Sequence, residues 1–283
     1  MGRVHALRAR EQADPRINPE CRSTVFEHGQ RVRRSLVCLH GITSSPIQFR
    51  DLGMLFHSRG YNVVIPRMPR HGYTDRLTQD QGKLTVAEYT AYASEAVDMG
   101  RGLAEHLTVM GLSVSGVLAA WCAQTRADVD LAMPIAPAFA PYGVGPQLVP
   151  ALTRTLRLLP NLFVPWDVRN RGSSAPGCGY PRFSTRAMAE SFRLGLGVIK
   201  AATQHPPAAG SILIVTNARD MAVNNAATSS VVAQWRKHAS PKVREYTFGS
   251  ELGSLHDIIG PYQPEARVEY VYPILFDLVD SSA

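Results

Sequence analysis

The chain has 283 residues, 45% of them apolar, enough for one large domain with a continuous core, which argues against disorder. Its formal charge of +7 would suit an acidic partner, but Arg3, Arg8, Arg10, Arg16, Arg22, Arg31, Arg33 and Arg34 are interspersed with acids and prolines rather than aromatics, which argues against nucleic-acid binding. No stretch approaches the roughly 18 apolar residues of a membrane span, so no stable membrane insertion is expected.

The first twenty residues carry positive charge but no apolar core and no small-residue cleavage site, and the sixth position lacks the Ser or Thr of a myristoylation signal. A cytoplasmic location is therefore expected. Cys21, Cys38, Cys122 and Cys178 are scattered, with no CxxC or Cys/His cluster, so neither a disulfide nor a structural metal is expected. No feature of the sequence sets an oligomeric state.

Apolar runs of strand length lie at 35–39, 61–65, 107–112, 130–135, 211–216 and 243–248. Helical patterns fall between them at 46–58, 85–106, 114–125, 224–238 and 267–280. This alternation predicts an α/β fold with a mostly parallel sheet flanked by helices. The rhythm breaks after Pro137, where prolines and glycines bracket two amphipathic segments at 146–159 and 185–202, and it resumes at Ser211. The expected organisation is a core domain of 1–139 and 208–283 with a small helical cap, 140–207, inserted late in the chain over the carboxyl ends of the strands.

The sharpest signal is Gly111-Leu112-Ser113-Val114-Ser115-Gly116, entered from an apolar strand and followed by a helical run to Thr125. A serine on such a turn is held with its hydroxyl exposed, and the residues two before and two after it must be small for the backbones to pass. They are Gly111 and Ser115, the latter where the common motif has glycine. Ser115 is itself a rival nucleophile, but its own position two further on is Val117, too bulky for the turn. A helix-capping serine is the blander reading of Ser113, disfavoured by the flanking strand and helix. Nucleophilic chemistry at an acyl carbon also needs donors for the developing oxyanion. The amide after the nucleophile, Val114 N–H, is one, and His40-Gly41-Ile42, directly after the first predicted strand, offers Ile42 N–H as the other.

Together HGITSSP at 40–46, RHGYTD at 70–75 and GLSVSG at 111–116 resemble the carboxylesterase and monoacylglycerol-lipase branch of the α/β-hydrolase superfamily. The resemblance covers most of the chain and implies an eight-stranded sheet with a helical cap, and the chain order nucleophile, acid, histidine. In that order only His238 and His256 follow the later strands. His238 ends a helix, where a cation meets the dipole, whereas His256 lies in a Gly/Ser-rich loop that suits an accessible base. Asp220, just beyond the apolar run 211–216, is the expected acid. Glu245 lies within a strand, Glu251 is too near the histidine in chain, and Asp257 is adjacent to His256.

The expected chemistry is ester hydrolysis of a small-molecule substrate through an acyl-enzyme, with Ser113 as nucleophile, His256 as base and Asp220 as acid, and with no cofactor and no metal. The same residues would also serve a thioesterase, amidase, carbon–carbon hydrolase or acyltransferase. Dehalogenase and epoxide-hydrolase chemistry is disfavoured, since those relatives place Asp where Ser113 stands. A hydrolase fold retained only for binding is the remaining alternative. In the cap, Leu148, Val149, Leu152, Leu156, Leu159, Leu162 and Phe163 recur at near-helical spacing, and Leu148, Leu152 and Trp166 are taken as substrate-binding. His57, His71 and His106 read as structural, and Trp121 and Trp235 as core.

Overall fold

The computed structural model describes residues 2–166, 178–239, 242–263 and 265–282. In chain order the elements are α1 (Gly2–Ala13), β1 (Thr24–Phe26), β2 (Val32–Leu39), α2 (Arg50–Ser58), β3 (Asn62–Ile65), α3 (Val86–Leu103), β4 (Ala104–Leu112), α4 (Val114–Thr125) and β5 (Leu131–Ile135). They continue as α5 (Val149–Leu158), β6 (Phe163–Pro165), β7 (Arg182–Ser184), α6 (Thr185–Gln204), β8 (Ser211–Asn217), α7 (Asn225–Trp235), β9 (Lys242–Phe248) and α8 (Val268–Asp280).

The central sheet has the order β1-β3-β2-β4-β5-β8-β9. Only β1 runs antiparallel, pairing Thr24 with Ile65; every other neighbouring pair is parallel. Every residue of β3 and β5 is buried, as in a sheet covered on both faces, and this is why these runs lack an alternating pattern in the sequence. Among the described residues the sheet has seven strands rather than eight. The two further strands, β6 and β7, are three residues each and pair only with one another as a separate antiparallel ribbon.

Helix α3 opens on a capping box in which Thr85 and Glu88 exchange hydrogen bonds. It ends at Leu103, earlier than its apolar pattern suggests, because Ala104 pairs with Val32 and begins β4. The two amphipathic segments expected between residues 140 and 207 form α5 and α6. Helix α6 packs on α5 and also on α4 and α7, so part of this region belongs to the helix layer of the body.

Helix α1 was not evident from the sequence. Its buried residues, Val4, Leu7 and Glu11, have helical spacing, but the third is charged and breaks the apolar stripe. Glu11 is accommodated by Arg67 Nε at 3.0 Å and by the backbone N–H and hydroxyl of Ser23, both at 2.8 Å.

Against expectation, Cys21 and Cys178 form a disulfide. Their separation of 157 residues leaves no local spacing to read, and only the fold brings them together. Cys38 and Cys122 are free and fully buried. Disulfides persist chiefly in oxidising compartments, so this bond lends no support to the cytoplasmic location expected from the N-terminal segment. No helix among the described residues is long and apolar enough to cross a membrane.

Candidate active site

Ser113 stands between β4 and α4 with φ 62° and ψ −118°, a left-handed conformation that a non-glycine residue adopts only when its surroundings enforce it. Its N–H donates to Ile135 O at 3.0 Å, and its carbonyl accepts from Val117 and Ala138. A Cβ on Gly111 would stand 2.1 Å from the carbonyl oxygen of Ser115, so the turn requires glycine there. Ser115 is fully buried and donates its hydroxyl to the carbonyl of His40 at 2.6 Å.

The loop from His40 to Thr43 is fixed peptide by peptide. His40 Nε2 accepts from Met68 N–H at 3.0 Å, which puts the ring proton on Nδ1, where it donates to the Gly41 carbonyl at 2.9 Å. Because the peptide is planar and trans, holding that oxygen turns the Ile42 N–H the opposite way. The Gly41 N–H donates to Gln48 Oε1 at 2.8 Å, and the Ile42 carbonyl lies 2.6 Å from His71 Nε2 and 2.9 Å from Gln81 Nε2. Tyr180 N–H donates to Thr43 O at 2.8 Å. Among the described residues neither Ile42 N–H nor Val114 N–H has a hydrogen-bond acceptor. Burial holds His40 at about 3 and His71 at about 4, well below the ordinary imidazole value, so both rings are neutral near pH 7. The histidine at 71, read as structural, thus packs directly behind this loop.

Asp220 follows β8 in a turn whose amides face its carboxylate. Oδ1 accepts from Ala222 N–H at 2.7 Å and from Val223 N–H at 3.2 Å. Oδ2 accepts from His256 Nδ1 at 2.7 Å, so the lone pair of that ring lies on Nε2. The Asp220 side chain is completely buried and that of His256 is 9% exposed. Asn217, which no motif in the sequence marks, ends β8 and donates from Nδ2 to Gly253 O and Leu255 O at 3.0 and 2.7 Å, holding the loop that delivers His256. A polar residue closing an apolar run was its only sequence signal.

Ser113, Ile42 and His256 line one cavity of about 360 Å³, with Gln48 and Asp257 in its wall. Its apolar side includes Leu152 and Leu156 of α5, Phe183 of β7, and Met188 and Phe192 of α6. Trp166 also lines it, its ring 5.8 Å from that of His256 at 63°. Leu148 does not. It sits in the 3₁₀ turn before α5 and is 56% exposed, because the inward face of that helix begins at the next residue, Val149, which is buried. Leu159 and Leu162 are likewise exposed. Among the described residues no three His, Cys, Asp or Glu side chains are placed to hold a metal ion together.

No protein-family profile matches the chain. Over 100 residues it is 27% identical to the thermostable monoacylglycerol lipase of Bacillus sp. (strain H-257), a match that spans 35% of this chain and 39% of that relative. A structure reported for the metagenome-derived lipolytic enzymes LipS and LipT superposes with a TM-score of 0.71 at 19% identity, covering 94% of this chain and 99% of that one. The monoacylglycerol lipase of Paleococcus ferrophilus superposes with a TM-score of 0.69 at 18% identity, over 92% of this chain and 98% of its own. In its sheet order and in these structural likenesses, the chain has the α/β-hydrolase fold.

Proposed function

We propose that this chain is a serine esterase or small lipase that hydrolyses uncharged carboxylic esters of short to medium acyl length, monoacylglycerols among them, through an acyl-enzyme on Ser113. The observation that carries the reading is the opening of a strained serine and a carboxylate-bound histidine onto one cavity. Ser113 Oγ attacks the ester carbonyl and gives its proton to His256 Nε2. Asp220 keeps the imidazole in the required tautomer and stabilises the imidazolium. The amides of Ile42 and Val114 donate to the oxyanion as it forms. His256 then protonates the departing alcohol oxygen, and a water molecule, deprotonated by the same ring, releases the acid and restores the serine.

In this reading the region 140–207 is a cap whose apolar residues receive the acyl chain. Each methylene buried against Leu152, Leu156 or Phe192 contributes up to about 0.8 kcal/mol, so kcat/KM should climb from acetate esters until the pocket is full. A fluorophosphonate probe is expected to label Ser113 and nothing in a Ser113→Ala variant. A p-nitrophenyl series from acetate to palmitate tests the pocket. An intermediate maximum supports it, and a maximum at either end shows that the cap does not form the acyl site.

A further inference from the structure

Resting on the esterase reading, we infer that Gln48 and Asp257 form a positioning bridge that sets the oxyanion loop and the catalytic-histidine loop relative to each other. Gln48 occupies the short turn Pro46–Phe49 and is 4% exposed. Its Oε1 accepts from Gly41 N–H at 2.8 Å, and its Nε2 donates to Asp257 Oδ2 at 2.6 Å. Gly41 precedes Ile42, which carries the proposed oxyanion donor, and Asp257 follows His256, the proposed base. One side chain thus joins the loop of Gly41 to Asp257, which lies 209 residues beyond Gln48 in the chain.

The chemistry selects an amide at position 48. At Gly41 the bridge must accept a proton, and at Asp257 it must donate one, and an amide does both with a single rigid plane. A carboxylate would satisfy Gly41 and face Asp257 with like charge. The far anchor is rigid too. Asp257 Oδ1 accepts from Ile259 N–H and Gly260 N–H at 3.1 and 2.8 Å, and the Asp257 carbonyl accepts from Gln263 Nε2 at 3.1 Å. A Cβ at Gly260 would stand 2.7 Å from Asp257 Oδ2, so glycine there leaves room for the carboxylate. Asp257, the sequence rival for the acid, is committed to this bridge rather than to the ring of His256. The Gly41–Ile42 peptide is held at its carbonyl by His40, and the bridge holds the amide just before it. Loss of the bridge frees the amide of Gly41 and leaves Asp257 Oδ2 without its donor, so the two loops are no longer tied to each other.

The test exchanges the direction of the bridge. Gln48→Glu opposes two carboxylates, and Asp257→Asn leaves an amide N–H against either Gln48 or the amides of Ile259 and Gly260. In the double variant the Glu accepts from Gly41 and from the new Asn, whose oxygen still accepts from Ile259 and Gly260. Each single variant is expected to lower kcat about tenfold or more with KM within about threefold, and to weaken binding of a trifluoromethyl ketone, an oxyanion-forming inhibitor, in parallel. The double variant should return to within about threefold of wild-type kcat, a rescue that a merely structural contact would not show in kcat per folded molecule. Folded single variants that keep kcat within about twofold of wild type, or a folded double variant as slow as the worse single, would overturn the bridge. If a single variant fails to fold, the folded double decides alone, with near-wild-type kcat expected. Wild-type protein inert toward the whole ester series would overturn the esterase reading itself, which separates that outcome from failure of the bridge in an active enzyme.

Discussion

The hydroxyl of Ser115 donates to the carbonyl oxygen of His40 across 2.6 Å and joins the turn that carries Ser113 to the loop that carries Ile42. Glycine, the common residue at this place in the motif, leaves that buried carbonyl without its partner. Ser115→Gly is expected to cost about 1–3 kcal/mol of stability, the penalty of an unsatisfied buried acceptor. Urea unfolding measures it, and an unchanged midpoint would show that the contact is dispensable.

Ser113→Ala should lower ester turnover by several orders of magnitude while the fold persists, and His256→Ala should do the same. Asp220→Asn should be milder, since the ring remains held in part by its loop. The backbone of Ser113 adds an independent check. At φ 62° and ψ −118° an alanine keeps the strain and a glycine relieves it. Ser113→Gly should therefore be more stable than Ser113→Ala by about 1 kcal/mol, the reverse of the usual order of these residues outside the left-handed region. Thermal unfolding of the two inactive variants decides it.

The buried histidines predict loss of stability in mild acid. His40 and His71 titrate at about 3 and about 4 in the folded chain against 6.5 for a free ring, so the unfolded state binds more protons in between. Stability therefore falls as the pH drops below the unfolded value, and each ring contributes a slope approaching about 1.4 kcal/mol per pH unit until its folded value is reached. Unfolding free energies measured from pH 7 down to pH 5 should show this decline. His71→Asn should remove about half of the slope near pH 5, since two rings share it there. An unchanged slope would mean that His71 is not held neutral.

The Cys21–Cys178 bond closes a loop of 157 residues, and its removal by Cys21→Ser should cost about 2–4 kcal/mol of stability. Thiol titration tests the pairing directly. Burial pushes the Cys122 thiol up to about 12 and holds the Cys38 thiol well above its ordinary value too, so the native protein should show no reactive thiol. Denaturation without reductant should expose two thiols, Cys38 and Cys122, out of the four cysteines of the chain. Four thiols under those conditions would mean that the bond is absent.

Local patterning made much of this protein legible. The six runs became β2, β3, β4, β5, β8 and β9; most of them are short continuous apolar segments because the strand is buried on both faces, whereas β9 lies at the sheet edge and is partly exposed. Ser113 could be read from ten residues, since strand, small neighbours and helix are all adjacent in chain. Asp220 and His256 could be placed by their loops, but not shown to touch. The tertiary structure decided what depends on which strands are neighbours. It brings Asp220 to His256 across 36 residues, Gln48 to Asp257 across 209 and Cys21 to Cys178 across 157. It also buries Glu11 beside Arg67 and turns Leu148 out to solvent while Leu152 lines the cavity. A hydrogen bond or disulfide between distant segments needs only a donor, an acceptor or a thiol at each end. These residue types are common, so the sequence marks many candidates, and the packing of the sheet and its helices selects the few that meet.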